Sequence, residues 1–277
     1  MRFVELLGGE KVPALGLGTW NIGVGDPDEA AQLRALQAGI AQGMTLIDTA
    51  EMYGDGRSEA LVAKAIAGQR DKVFLVTKVL PHNASRRGTI KACEASLKRL
   101  SADVIDLYLL HWRGPHALAE TFAAFEELRG AGKIRHYGVS NFDVDDLDEL
   151  AKAAPKARSA ANQVQYNLSD RGIEWDLIPR CRKDKAAVMA YCPLGQGRLV
   201  NNPALASIAA KHNVSNAAVA LAFTLRLPGM ISIPKSSHEK RVLENAAASD
   251  LVLDEDDLAK LDQAFPPPRR KQALAMS

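Results

Sequence analysis

Short apolar runs alternate along the chain with longer stretches in which apolar residues recur every three to four positions. The short runs predict strands at 14–17 (ALGL), 44–47 (MTLI), 73–77 (VFLVT), 104–110 (VIDLYLL), 134–139 (IRHYGV), 160–164 (AANQV), 187–191 (AVMAY) and 230–233 (MISI). The longer stretches predict helices at 28–41, 58–67, 86–100, 116–130, 143–153, 172–184, 203–226 in two pieces, and 237–247. In EALVAKAI, Ala60, Leu61, Lys64 and Ala65 show the spacing of a packed helix.

Each strand candidate is followed by a helix. Strict alternation implies parallel strands, and parallel strands need helical crossovers on a covered face. Eight such units in about 250 residues make the pattern of a (β/α)8 barrel. An open doubly wound sheet would place a G-x-G-x-x-G turn after its first strand. Here Gly16 and Gly18 are followed by Asn21 in the third place, and GDGRSE and GQGRLV also lack a third glycine. The expected fold is therefore an α/β (TIM) barrel with additions at its ends. FVELLGGEKVPAL reads as an N-terminal β-hairpin around Gly8 and Gly9 that plugs one end. At the C-terminus an extra helix is expected over 254–265, opening on acids and stopping before Pro266. No linker or low-complexity break divides the chain, so 1–277 reads as one domain.

Composition acts mainly by exclusion. With 47% hydrophobic and 25% charged residues and a net charge of +2, the chain gives no reason to expect nucleic acid or a charged membrane surface as partner. The basic run RRK at 269–271 reads as a solvated tail. The N-terminus lacks the apolar core of a signal peptide, and no stretch reaches the roughly 18 apolar residues of a membrane span. Cys93, Cys181 and Cys192 form neither a C-x-x-C nor an even framework, and read as reduced thiols of a cytoplasmic protein.

In such a barrel, polar residues at the C-terminal ends of strands face the active-site mouth. The second strand ends in Asp48, the third in Lys78 and the fourth in His111, with Tyr53 just beyond Asp48. Taken singly, a lysine at a strand end snorkels to solvent more often than it works. Three adjacent strands ending in three different ionisable groups is harder to dismiss. A phenol is a poor acid at neutral pH unless a nearby cation stabilises the phenolate. Lys78 can supply that cation, Asp48 can hold Lys78 charged, and His111 can offer a neutral imidazole N–H to a substrate oxygen. This is equipment for protonating an oxygen while something else attacks its carbon. Carbonyl reduction fits if a hydride donor is bound.

The segments GLGTW, DTAEMYGDGRSE, TKV, LYLLHW, GKIRHYGVSNF, NQVQYN, AYCPLGQG and IPKSSHEKRVLENAA, in unbroken order from about residue 12 to 265, resemble the successive motifs of the aldo-keto reductases. The resemblance is closest to short-loop bacterial members, some of which reduce methylglyoxal and other small aldehydes or dicarbonyls. It implies Asp48, Tyr53, Lys78 and His111 as a catalytic tetrad with Tyr53 as general acid. It also implies NADPH/NADP+ as cofactor, bound without a Rossmann fold. Thr19 and Trp20 match the lining of the nicotinamide end, and Ser140, Asn141 and Gln163 the carboxamide contacts. Tyr191 matches the ring that stacks on the nicotinamide. The loop carrying Cys192, Pro193, Leu194 and Gln196 would wrap the pyrophosphate through backbone N–H groups.

The segment after the last strand opens a helix, where N–H groups and the dipole favour an anion. Lys235, Ser236 and Arg241 add two cations and a hydroxyl there, which suits a phosphate-sized dianion, and the resemblance implies that this is the adenosine 2′-phosphate of NADP(H). Glu244 and Asn245 match positions that meet the adenine. Trp20, Met52, His111 and Trp112 are the expected substrate contacts. The short fourth loop and brief tail predict an open pocket. His82 is expected to border it, and His116, His136, His212 and His238 to lie at the surface or behind the site. No histidine or cysteine spacing supports a metal. The expected activity is NADPH-dependent reduction of small aldehydes, dicarbonyls or ketones by a cytoplasmic monomer. The rivals are a barrel aldolase using Lys78 as Schiff-base nucleophile and an NADPH-binding regulatory barrel.

Overall fold

The computed structural model describes residues 1–25 and 28–277. β1 (Phe3–Glu5) and β2 (Lys11–Pro13) form the expected antiparallel hairpin, with Phe3 opposite Pro13. Gly8 and Gly9 turn it at φ 104° and 89°, where a side chain would be strained.

The other strands are β3 (Leu17–Gly18), β4 (Leu46–Asp48), β5 (Phe74–Val79), β6 (Ile105–Leu110), β7 (Ile134–Ser140), β8 (Ala161–Gln165), β9 (Ala187–Tyr191) and β10 (Met230–Ser232). They pair in chain order, all parallel. Parallel bridges Leu15–Ser232 and Gly18–Lys235 join the last strand to the first and close the barrel. The hairpin sits over the end where the strands begin, since its Glu10 meets Arg135 and His136 at the start of β7. The hairpin does not reach the opposite end, where β4 delivers Asp48.

The helices are α1 (Glu29–Ala41), α2 (Arg57–Ala65), α3 (Arg86–Leu100), α4 (Leu118–Gly130), α5 (Val144–Ala153), α6 (Leu177–Lys183), α7 (Pro203–His212), α8 (Asn216–Thr224), α9 (Glu239–Ala246) and α10 (Glu255–Ala264). Every residue of β5 and β6 is buried, which explains why these strands read as unbroken apolar runs rather than as alternation. Helix starts are set by side chains: Ser85, Asn202 and Ser215 cap α3, α7 and α8, and capping boxes Asp143/Asp146 and Asp254/Asp257 open α5 and α10.

Two elements differ from expectation. The predicted 172–184 helix is a 3-10 turn at Gly172–Glu174 followed by α6. Pro179 has no N–H and is tolerated only in a first turn, so the helix begins just ahead of it. The predicted 58–67 helix is α2, which starts one residue earlier and has no side-chain cap. The cap position is Gly56 at φ 86°, and Ser58 lies inside the helix with its Oγ on Thr19. Among the described residues, no helix is long and apolar enough to cross a membrane, and no cluster of His, Cys, Asp and Glu could hold a metal.

Candidate active site

Parallel pairing places Asp48 beside Val76 and Lys78 beside Leu109, so three successive strands bring their polar ends to one side of the barrel mouth. His111 follows β6, held by a hydrogen bond from its N–H to Val79 O. The chain turns back after β4 through Gly54, Asp55 and Gly56, all at positive φ, which returns Tyr53 over the mouth.

The Lys78 ammonium is fully buried and donates to three oxygens: Asp48 Oδ2 at 2.8 Å, Thr49 O at 2.9 Å and Tyr53 Oη at 3.2 Å. Asp48 Oδ1 accepts from Gln163 Nε2 at 2.6 Å. Burial pushes the Asp48 carboxyl up and the Lys78 ammonium down, and each charge offsets the shift of the other. Behind them the buried Glu59 accepts from Thr77 Oγ1 at 2.7 Å and pairs with Arg99, adding a second carboxylate that favours a charged Lys78.

The Tyr53 phenol is pushed well above its ordinary value, first by burial, then by Asp48 and Cys192. The expectation that Lys78 would lower the phenol at rest is thereby corrected. The hydroxyl keeps its proton, and with Lys78 donating to its oxygen that proton is free to point into the cleft. Burial, then the Lys78 charge, drives His111 down to about 2, so its ring is neutral. Its Nδ1 is buried without a partner among the described residues. Tyr53, edge-on at 5.9 Å between ring centres, and Trp112, at 4.7 Å, pack its ring instead.

These groups form one end of a cleft of about 1110 Å³. Every residue expected to touch cofactor or substrate lines it, from Thr19 and Trp20 to Glu244 and Asn245, while Lys78 lies beneath the floor. Tyr191 donates to Asn141 Oδ1 at 2.9 Å, and Asn141 Nδ2 donates to His111 O at 3.1 Å, which ties the middle of the cleft to the reactive end. Cys192, Gly195, Gln196 and Gly197 all adopt positive φ. Successive turns of this kind make a concavity of main-chain N–H groups suited to an anion. At the far end Lys235, Ser236 and Arg241 share the wall with α9, whose N-terminus has no side-chain cap. The long cleft, with proton donors at one end and cations at the other, fits a dinucleotide carrying an extra phosphate.

Several expectations are revised. The tail does not leave the mouth open, because Met276 and Ser277 line the cleft, with Ser277 Oγ 3.5 Å from Cys192 Sγ. RRK is not wholly solvated: Lys271 Nζ lies 3.4 Å from Asp143, 3.7 Å from Asp145 and 3.7 Å from Asp176. His238, set aside in the sequence, lines the cleft. His82 does not line it, and its carbonyl meets His116 Nε2 at 3.2 Å. His136 and His212 pair with Glu10 and Asp257 away from the mouth. No signal in the sequence pointed to the tail, which reaches the cleft through its tertiary path, whereas His238 lies between Ser236 and Arg241 in the segment already expected at the phosphate end.

A closed parallel barrel with proton-transfer groups at its C-terminal mouth and a phosphate-sized cationic end defines a dinucleotide-dependent enzyme class. A sequence model of the aldo/keto reductase family matches residues 14–265, and the chain belongs to that family of oxidoreductases. It is 47% identical to methylglyoxal reductase YeaE of Escherichia coli (strain K12), over 99% of each chain. It is 37% identical to glyoxal reductase of Bacillus subtilis (strain 168), over 94% of this chain and 91% of that one. A crystal structure of an aldo-keto reductase from Klebsiella pneumoniae in complex with NADPH superposes with a TM-score of 0.96 at 46% identity, covering 100% of this chain and 99% of that one.

Proposed function

We propose that the chain reduces small aldehydes, dicarbonyls and ketones with NADPH, and that Tyr53 gives the proton to the carbonyl oxygen. The bound nicotinamide supplies the hydride; the remaining work falls to side chains of this chain. The observation that carries the reading is the Lys78 ammonium with all three N–H groups engaged, one of them on Tyr53 Oη. As the phenol proton leaves, negative charge grows on an oxygen that already accepts a hydrogen bond from a cation, which is where such a bond strengthens most. Asp48 and Gln163 hold Lys78 and its partner in place. His111, neutral, offers an N–H to the same carbonyl oxygen and orients it.

The half-exposed Trp20 and Met52, with Trp112, form an apolar rim for the rest of the substrate. Two relatives named for methylglyoxal and glyoxal support small dicarbonyls as the class. Lys78 lies out of reach of the cleft with its donors occupied, which argues against a Schiff base. The complete tetrad argues against a purely regulatory role. Cys93 and Cys181 are buried free thiols, which supports a reducing cytoplasm.

The test is Tyr53→Phe assayed with a panel of aldehydes, dicarbonyls and ketones. The expected result is loss of at least about 100-fold in kcat, the usual worth of a general acid, with NADPH affinity retained. A variant keeping most of its turnover would remove Tyr53 from the role.

A further inference from the structure

β4 stops at Asp48 while β5 runs on to Val79, so the two chains need other ties beyond the end of their ladder. Thr49 N–H still reaches Val76 O at 2.9 Å, and Glu51 N–H makes a long contact of 3.5 Å to Lys78 O. After that a side chain takes over from the main chain. Glu51 Oε1 accepts from Leu80 N–H at 2.7 Å and from Asn83 Nδ2 at 3.1 Å. The Leu80 N–H, which has no strand to pair with, is satisfied in this way.

Glu51 lies two residues before Tyr53, and Leu80 lies two residues after Lys78. One carboxylate oxygen therefore joins the two backbones that carry the phenol and the ammonium. Other main-chain bonds of the Tyr53 turn, Tyr53 N–H to Ala50 O at 3.0 Å and Ser58 N–H to Tyr53 O at 3.2 Å, close it on itself and on α2. They do not set its distance from β5. The clamp also reaches the loop of the third group. Asn83 ends the 3-10 turn Pro81–Asn83, and a Cβ on Gly114, three residues past His111, would stand 2.4 Å from Pro81 Cβ.

We propose that Glu51 is a positioning residue for the proton transfer: by clamping the loop after β4 to the end of β5, it sets the 3.2 Å contact between Lys78 Nζ and Tyr53 Oη. The inference rests on the reading of Tyr53 as the acid. Glu51 is not among the residues that line the cleft, so it acts through Tyr53 rather than on cofactor or substrate. Both of its donors are neutral amides, so what it supplies is an acceptor oxygen rather than a charge. A glutamine carries the same oxygen at the same reach.

The experiment is steady-state and single-turnover reduction of methylglyoxal by NADPH, with Glu51→Ala, Glu51→Gln, Tyr53→Phe and the Glu51→Ala/Tyr53→Phe double variant. Titration with NADPH counts the folded, binding-competent fraction of each. Glu51→Ala should lose about 10-fold to 100-fold in kcat, the worth of a small misplacement at a reacting centre, with KM and NADPH affinity close to native. Glu51→Gln should restore most of the turnover. Added to Tyr53→Phe, Glu51→Ala should cost nothing further, because the two act as one unit. Native turnover in Glu51→Ala, an equal loss in Glu51→Gln, or a full further loss in the double variant would each overturn the role of Glu51 and leave Tyr53 as the acid. Retained turnover in Tyr53→Phe would overturn the acid reading itself.

Discussion

His111 shows what one residue contributes and what it costs. Its neutral ring is a consequence of burial next to Lys78, and the same burial makes it a liability in acid. The unfolded chain takes up a proton near pH 6.5 that the folded chain refuses until about pH 2. Across that window the unfolded state holds more protons, so stability rises with pH and is lost as pH falls below about 6.5. By pH 5 the loss from this group is about 2 kcal/mol. Denaturant unfolding at pH 7.5 and pH 5 should show that much more acid sensitivity in the native chain than in His111→Gln. Equal sensitivity would mean that the ring is not held neutral. At this scale the sequence was readable because strand ends have fixed directions: Asp48, Lys78 and His111 each close an apolar run. What it could not show was the sign of the shift on Tyr53, which depends on how thoroughly the mouth excludes water.

Among the elements, β3 departs furthest from its apolar run. The run ALGL predicted a strand of ordinary length, yet only Leu17 and Gly18 pair with β4, and the bridges to β10 are isolated. The seam is made by close backbone approach rather than by a long ladder. A Cβ on Gly16 would stand 2.7 Å from Leu46 O, and one on Gly18 would stand 2.6 Å from Ile233 O. Both neighbours are main chain and cannot rotate aside. Gly18→Ala should therefore push the first strand away from the last and destabilise the fold by about 1–3 kcal/mol, as overpacking does elsewhere. Urea unfolding measures this directly, and a midpoint matching the native chain would show that the seam gives way at no cost. Alternation of runs located all eight strands, because parallel strands covered on both faces are apolar throughout. It could not place the seam, since a glycine in an apolar run does not announce which neighbour comes close.

For the whole molecule, the tail matters more than its length suggested. Arg171 fixes its departure by donating to Phe265 O at 2.5 Å and Asp262 Oδ1 at 2.6 Å, just as α10 ends. Gln272 then lies against Gly172, and Leu274 packs on the core. Lys271 meets carboxylates from the α5 start (Asp143, Asp145) and the α6 cap (Asp176), and the tail ends with Met276 beside the mouth. The sequence offered only three prolines and a basic run here, and the acids that Lys271 meets lie more than 90 positions upstream in the chain. These pairs are open to solvent and screened by it, so they add little to overall stability but decide where the tail lies. Lys271→Glu would place a fourth carboxylate among three and turn the anchor into repulsion. The expected outcome is an unfolding midpoint close to native, faster proteolytic clipping after Phe265, and a raised KM for carbonyl substrates as the Met276 side of the pocket opens. Added salt should move the native chain in the same direction, since it screens the anchor. Unchanged clipping together with an unchanged KM would show that packing of Leu274 alone holds the tail, and that Lys271 is incidental to the shape of the mouth.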